Sequence, residues 1–165
     1  MPLYRFIKIL PLIFMSMIGT SCTTINTKVG GFLNLDTDLS LTFIVDADIN
    51  PDDKKIPSPL IIRMYELRSP NMFKKSNFID IYEKDAEILG ADMIAKKRLK
   101  YMEPGETRET SFVLSNETKY VGLYAEFLEY KDAEYKLVIP IAQTNVISSS
   151  AEIRLSGNKM YFASK

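Results

Sequence analysis

Leu39, Leu41, Phe43, Val45, Ala47 and Ile49 alternate with Ser40, Thr42, Asp46, Asp48 and Asn50. A period of two in branched and aromatic residues predicts a strand with one face in a core and the other in water. Only Ile44 interrupts the polar face. Residues 50–59 then carry three prolines and four charges, which predicts an exposed loop. A second strand is expected over residues 60–67. Beyond it the period changes. Ser69 and Pro70 read as a helix cap and first helical residue, and Phe78, Ile81 and Tyr82 share one face of a short helix behind Ser76. Residues 85–89 add a turn that Gly90 stops. This predicts a small helical insert over about residues 69–90, pinned by Phe73, Phe78 and Leu89.

Strand character resumes at Met93, with Lys96, Arg98 and Lys100 on a charged outer face. The Pro104-Gly105 turn predicts that residues 107–114 fold back on it as a hairpin. Residues 120–130 read as a long strand and residues 135–141 as another, in which Pro140 signals a sheet edge or bulge. Residues 151–155 and 159–162 flank Ser156-Gly157-Asn158 as a last hairpin. Eight strands at these turn spacings predict a mainly β fold, a two-sheet sandwich with a helical insert between strands 2 and 3.

The 165-residue chain suits one such domain, and 46% apolar residues suffice for its core. It contains no His and a single Cys, Cys22, so Ser-His-Asp and Cys-His catalysis and the usual zinc sets are excluded. Charge is balanced at 21 basic and 21 acidic residues, which argues against nucleic acid.

The first 21 residues have a different character. Arg5 and Lys8 precede a short apolar run, and Gly19, Thr20 and Ser21 lead into Cys22. A charged head, a short apolar core and a small-residue exit predict a cleaved signal peptide over residues 1–21. The uncharged stretch is shorter than the roughly 20 residues of a membrane-spanning helix. The junction at the only cysteine resembles a bacterial lipobox, with Gly19 where leucine is usual. That resemblance implies a lipid on Cys22 and cleavage before it, and Thr23 after it favours the periplasmic face of the outer membrane. Two or more acyl chains anchor stably, at about 0.8 kcal/mol per buried methylene. Removing Arg5 and Lys8 leaves 19 basic and 21 acidic residues, a net charge of −2, so lipid is the sole expected anchor. Residues 22–38 read as the lipidated cysteine and a flexible tether, and residues 39–165 as the domain. A flexible tether of this length reaches about 20–24 Å.

Candidate chemistry is sparse. Asp46, Asp48, Asn50 and Asp52 invite a calcium loop, but the EF-hand template places Gly and Glu where Pro51 and Pro57 stand. No phosphate loop, cofactor motif or metal set is present, and no enzyme is expected. The loop Asn50, Pro51, Asp52, Asp53, Lys54, Lys55, Ile56 and Pro57 is open to two readings, a solvated connection or a partner-contact surface whose prolines reduce the entropy lost on binding.

The order PSP-L-IIRMYEL (residues 57–67), Phe73, Phe78-IDIYE, LGAD (residues 89–92), PGET (residues 104–107) and YVGLYAEF (residues 120–127) resembles the outer-membrane lipoprotein of type VI secretion, the TssJ family, over about residues 39–162. Two positions depart from the family: Leu128 stands where arginine is common and Tyr135 where tryptophan is. The resemblance implies a transthyretin-like sandwich. It also implies a structural, non-catalytic adaptor under the outer membrane that binds the periplasmic C-terminal region of the inner-membrane IcmF-like TssM protein. It further implies that the loop between strands 1 and 2 contributes to that contact, here with Asp52, Asp53, Lys54, Lys55 and Ile56 at its tip. Beyond the lipid on Cys22, no cofactor, small-molecule substrate or nucleic acid is expected. A pilot or chaperone lipoprotein of another secretion system, and a lipoprotein that binds or hydrolyses peptidoglycan, are the alternatives.

Overall fold

The structure, a computed structural model, describes residues 37–142 and 149–163. The signal segment, Cys22 and the tether up to residue 36 lie outside the described residues. Eight strands form two four-stranded sheets. They are β1 (Thr37–Val45), β2 (Ile62–Leu67), β3 (Met93–Arg98), β4 (Thr107–Leu114), β5 (Tyr120–Ala125), β6 (Lys136–Pro140), β7 (Ser149–Ser156) and β8 (Lys159–Phe162). One sheet runs β4-β1-β7-β8, the other β3-β2-β5-β6. Every pairing is antiparallel except β1 with β7. Between β2 and β3 stand two helices, α1 (Asn71–Lys75) and α2 (Phe78–Leu89), and a 3-10 turn, Gly90–Asp92.

The alternation in β1 is the clearest in the chain because only one of its faces is covered. Leu39, Leu41, Phe43 and Val45 are buried against Ile62, Met64, Val121 and Leu123 of the opposite sheet. β2 and β5 alternate poorly for the converse reason. Tyr65, Leu67 and Tyr124 on their outer faces are also buried, under Phe73, Phe78, Ile81 and Leu89 of the insert. Covered on both sides, a strand loses its polar face. Gly122 lies at the closest approach: a Cβ there would stand 3.0 Å from the Phe73 ring and 3.1 Å from Leu67. Phe73, Phe78 and Leu89 pin the insert as the sequence predicts.

Several boundaries differ from the sequence reading. β1 begins two residues earlier, at Thr37, and ends at Val45. Ala47 is exposed, because Asp46 and Asp48 turn away to bond Arg154 and the Gly157 N–H. β5 stops at Ala125, where Glu126 turns to bond Arg63. α2 is capped by Asn77 rather than Ser76: its side chain accepts from the Asp80 N–H, and Asp80 returns the bond. Pro70 occupies the cap of α1 instead of its first helical position.

The largest difference concerns the predicted hairpin. β3 pairs with β2 and β4 with β1, so residues 99–106 cross from one sheet to the other. Buried Met102 exchanges backbone bonds with Leu60 in both directions, at 2.8 and 3.0 Å, and draws the connection over the end of the core. The Pro104-Gly105 turn is present, with Gly105 at φ 81°, but it reverses the chain between sheets.

Candidate functional site

The loop between β1 and β2 builds itself from short local bonds. The Asp52 carboxylate accepts the backbone N–H groups of Lys54 and Ile56, at 2.9 and 2.8 Å. The Asp52 N–H donates to the Ile56 carbonyl, and the Lys55 N–H donates back to the Asp52 carbonyl. Closing so tight a turn places Lys55 at φ 64°, a left-handed conformation costly for a residue with a side chain. The result is a fixed tip on which Asp53, Lys54, Lys55, Ile56 and Pro57 are exposed. Ile56 is 56% exposed, an apolar side chain held in water by its own loop.

Asn50 has another role. The sequence reading counts it with the contact residues, but it is 2% exposed. Its amide donates to the Pro59 carbonyl at 3.1 Å, and its side-chain oxygen accepts the Leu128 N–H at 2.9 Å. Its backbone N–H reaches the Gly157 carbonyl. It adopts φ 48°, a left-handed conformation that Asn tolerates better than most residues. Asn50 thus ties three connections together at one end of the sandwich: residues 50–59, the β5–β6 connection and the β7–β8 turn. Pro51 and Asp52 are half-buried beside it. Of the eight predicted loop residues, the structure presents five and uses three as support.

The four polar residues that suggest a calcium loop serve four separate partners. Asp46 binds Arg154, whose hydrogen bonds hold its carboxyl below the usual range. Asp48 accepts the Gly157 N–H, Asn50 is buried, and Asp52 closes its own turn.

A second polar cluster, not visible from sequence, lies under α2. The buried Asp85 carboxylate accepts the Tyr65 hydroxyl at 2.9 Å and both oxygens accept from Lys96 Nζ, at 2.9 and 3.0 Å. Arg63 reaches the same carboxylate at 3.5 Å, bonds Glu126, and donates to the Ile81 and Tyr82 carbonyls. Burial pushes the Asp85 carboxyl up, but the bonds from Lys96 and Tyr65 and the Lys96 charge outweigh it and leave it below its ordinary range. Burial and the Asp85 carboxylate push the Tyr65 phenol far up, so it stays a donor. A cleft of about 460 Å³ opens beside this cluster, lined by Arg63, Tyr82, Lys97 and Arg98 among others. Its carboxylates and Arg63 are bonded to one another, an arrangement that docks α2 on the sheet. Lys136 fixes α1 in the same manner, donating to the carbonyls of Phe73, Lys74 and Ser76.

A model of the family described as type VI secretion lipoprotein, VasD, EvfM, TssJ matches residues 37–158. No curated protein matches the chain in sequence. Among solved structures, the type VI lipoprotein TssJ1 from Pseudomonas aeruginosa has TM-score 0.71 at 20% identity, covering 79% of this chain and 97% of that one. Serratia marcescens Lip, a membrane-bound component of the type VI secretion system, has TM-score 0.72 at 20% identity, covering 79% and 98%. A chain in a structure described as the type VI protein TssM C-terminal domain from EAEC has TM-score 0.64 at 22% identity, covering 78% and 98%.

Proposed function

This chain belongs to the type VI secretion lipoprotein family of VasD, EvfM and TssJ, and from that premise we propose that it is an outer-membrane-anchored adaptor gripping the periplasmic C-terminal region of the inner-membrane TssM protein. The observation that carries the reading is the self-bonded, exposed loop tip. A turn braced by Asp52 and strained at Lys55 holds Ile56 and three charges in one arrangement through the loop's own bonds. Preorganisation lowers the entropy lost on binding, mixed charge supplies specificity and encounter rate, and Ile56 supplies an apolar anchor.

Replacing Asp53, Lys54, Lys55 and Ile56 with Gly and Ser, with Asp52 retained, should leave Tm within a few degrees while weakening capture of the TssM periplasmic region at least about tenfold. Unchanged capture by a folded variant would move the interface elsewhere. Cys22→Ser should release the protein from the membrane fraction and leave partner capture intact. Retention of that variant on membranes after extraction of peripheral proteins would overturn the anchoring claim.

A further inference from the structure

β3 ends its sheet, and among the described residues no strand pairs with its outer edge. The Leu99 N–H donates to the Ile62 carbonyl, with Lys97 opposite Met64 and Ala95 opposite Glu66. Antiparallel alternation then turns the backbone groups of Ala95, Lys97 and Leu99 toward β2 and those of Lys96 and Arg98 outward. The same stretch holds four cations within five residues: Lys96, Lys97, Arg98 and Lys100. Lys96 is engaged by Asp85. Among the described residues, no carboxylate lies within ion-pair distance of Lys97, Arg98 or Lys100. Lys97 Nζ sits 5.2 Å from the centre of the Phe112 ring, and the Arg98 guanidinium sits 5.9 Å from that of Tyr101. Both charges are held against aromatic rings that flank the edge.

The other three edge strands differ. β6 closes on Pro140, which has no N–H to offer. β8 is bridged at Lys159 by Glu134, whose carbonyl takes the Met160 N–H. β4 has an open edge, but its outward residues Thr107, Glu109, Ser111 and Val113 carry no cation. Open backbone and uncompensated positive charge coincide at β3.

We propose that the β3 edge accepts an extended acidic segment of another protein as an added strand. Backbone bonds to Lys96 and Arg98 would supply the pairing. Directly opposite residues share a face, so the incoming strand would carry Asp or Glu opposite Arg98 and again two residues on, toward Lys100, Lys96 being held by Asp85. This site is separate from the loop tip and does not depend on it.

The test uses the full chain in detergent and fluorescein-labelled Thr-Glu-Val-Glu-Val-Glu-Thr, read by anisotropy. The acidic peptide should bind, the same peptide with Lys for Glu should not, and the Gly/Ser loop variant should bind equally. Arg98→Gln should weaken binding about threefold to fivefold, and K97E/R98E, whose fold is verified by circular dichroism, should abolish it. A peptide N-methylated at alternate amides, in both registers, separates strand addition from simple charge attraction and should lose binding in one register. Equal binding of both N-methylated forms, or no binding of the acidic peptide, overturns the proposal. Co-sedimentation with phosphatidylglycerol vesicles in place of peptide binding would also overturn it, by assigning the basic row to a lipid surface.

Discussion

Asp85→Asn should destabilise the protein by about 3 kcal/mol near neutral pH, the lower end of what breaking a buried ion pair costs. The Asp85 side chain is 9% exposed and serves Tyr65, Lys96 and Arg63 together. The amide still accepts the Tyr65 hydroxyl, but it offers no charge to Lys96 or Arg63. Lys96, half in water, can be resolvated, whereas Arg63 is 19% exposed and cannot fully escape. Removal of one partner therefore leaves charge under α2 with less compensation. The sign of the pH dependence follows from the depressed Asp85 pKa. Its contribution is complete above the unfolded carboxylate range and is lost as pH falls through the folded value. The stability gap between wild type and Asp85→Asn should accordingly narrow as pH is lowered from about 6 to about 2.5. Urea unfolding of both proteins across that range measures the gap directly. A gap that stays constant would show that shape, not charge, sets the effect. Amide exchange offers a local check: protection should fall first over residues 81–89, before the sandwich core opens.

That cluster also marks where polarity ceases to be readable. Asp85 lies in a helix rich in Glu, Asp and Lys, so its pattern says solvent. Its burial is decided by Tyr65 and Lys96, each from a different strand. Lys96 stands on the charged outer face predicted for β3, exposed, and its bond to Asp85 is what its own strand's pattern does not show. Asn50 next to a proline reads as exposed loop, yet it is buried and bonded to Pro59, Leu128 and Gly157. Apolar burial, by contrast, is legible from one strand alone, because water on one face and core on the other leave a period of two in β1. The eight strands, the insert and its three pinning residues follow from that kind of signal. Strand partnership does not. Residues 93–98 and 107–114 flank a good turn, and only the buried Met102, bridged to Leu60, shows that the turn joins different sheets. The loop itself was legible as a surface feature; which of its residues face outward was not, since that depends on where the Asp52 carboxylate and the Asn50 amide find their partners.

Asn50→Ala should cost about 3 kcal/mol and weaken partner capture although it leaves the exposed tip chemically unchanged. Two costs combine. The first is the Leu128 N–H and the Pro59 carbonyl, each stripped of a partner in a largely dry site, at about 1 kcal/mol or somewhat more apiece. The second is the left-handed backbone at φ 48°, which Ala adopts at about 1 kcal/mol or more. Asn50→Gly separates them, since Gly relieves the backbone but restores neither bond. The Gly variant should therefore lie about 1 kcal/mol above the Ala variant in stability and still bind poorly. Chemical denaturation supplies the stability order, and capture of the TssM periplasmic region by each folded variant supplies the function. The link between them is mechanical: without Asn50, residues 50–59 are no longer tied through Leu128 to the β5–β6 connection, and the tip keeps its own turn but loses its fixed position. If Asn50→Gly captures the partner as well as wild type does, the placement of the tip is set by Asp52 and the β2 backbone alone, and the supporting role assigned to Asn50 fails.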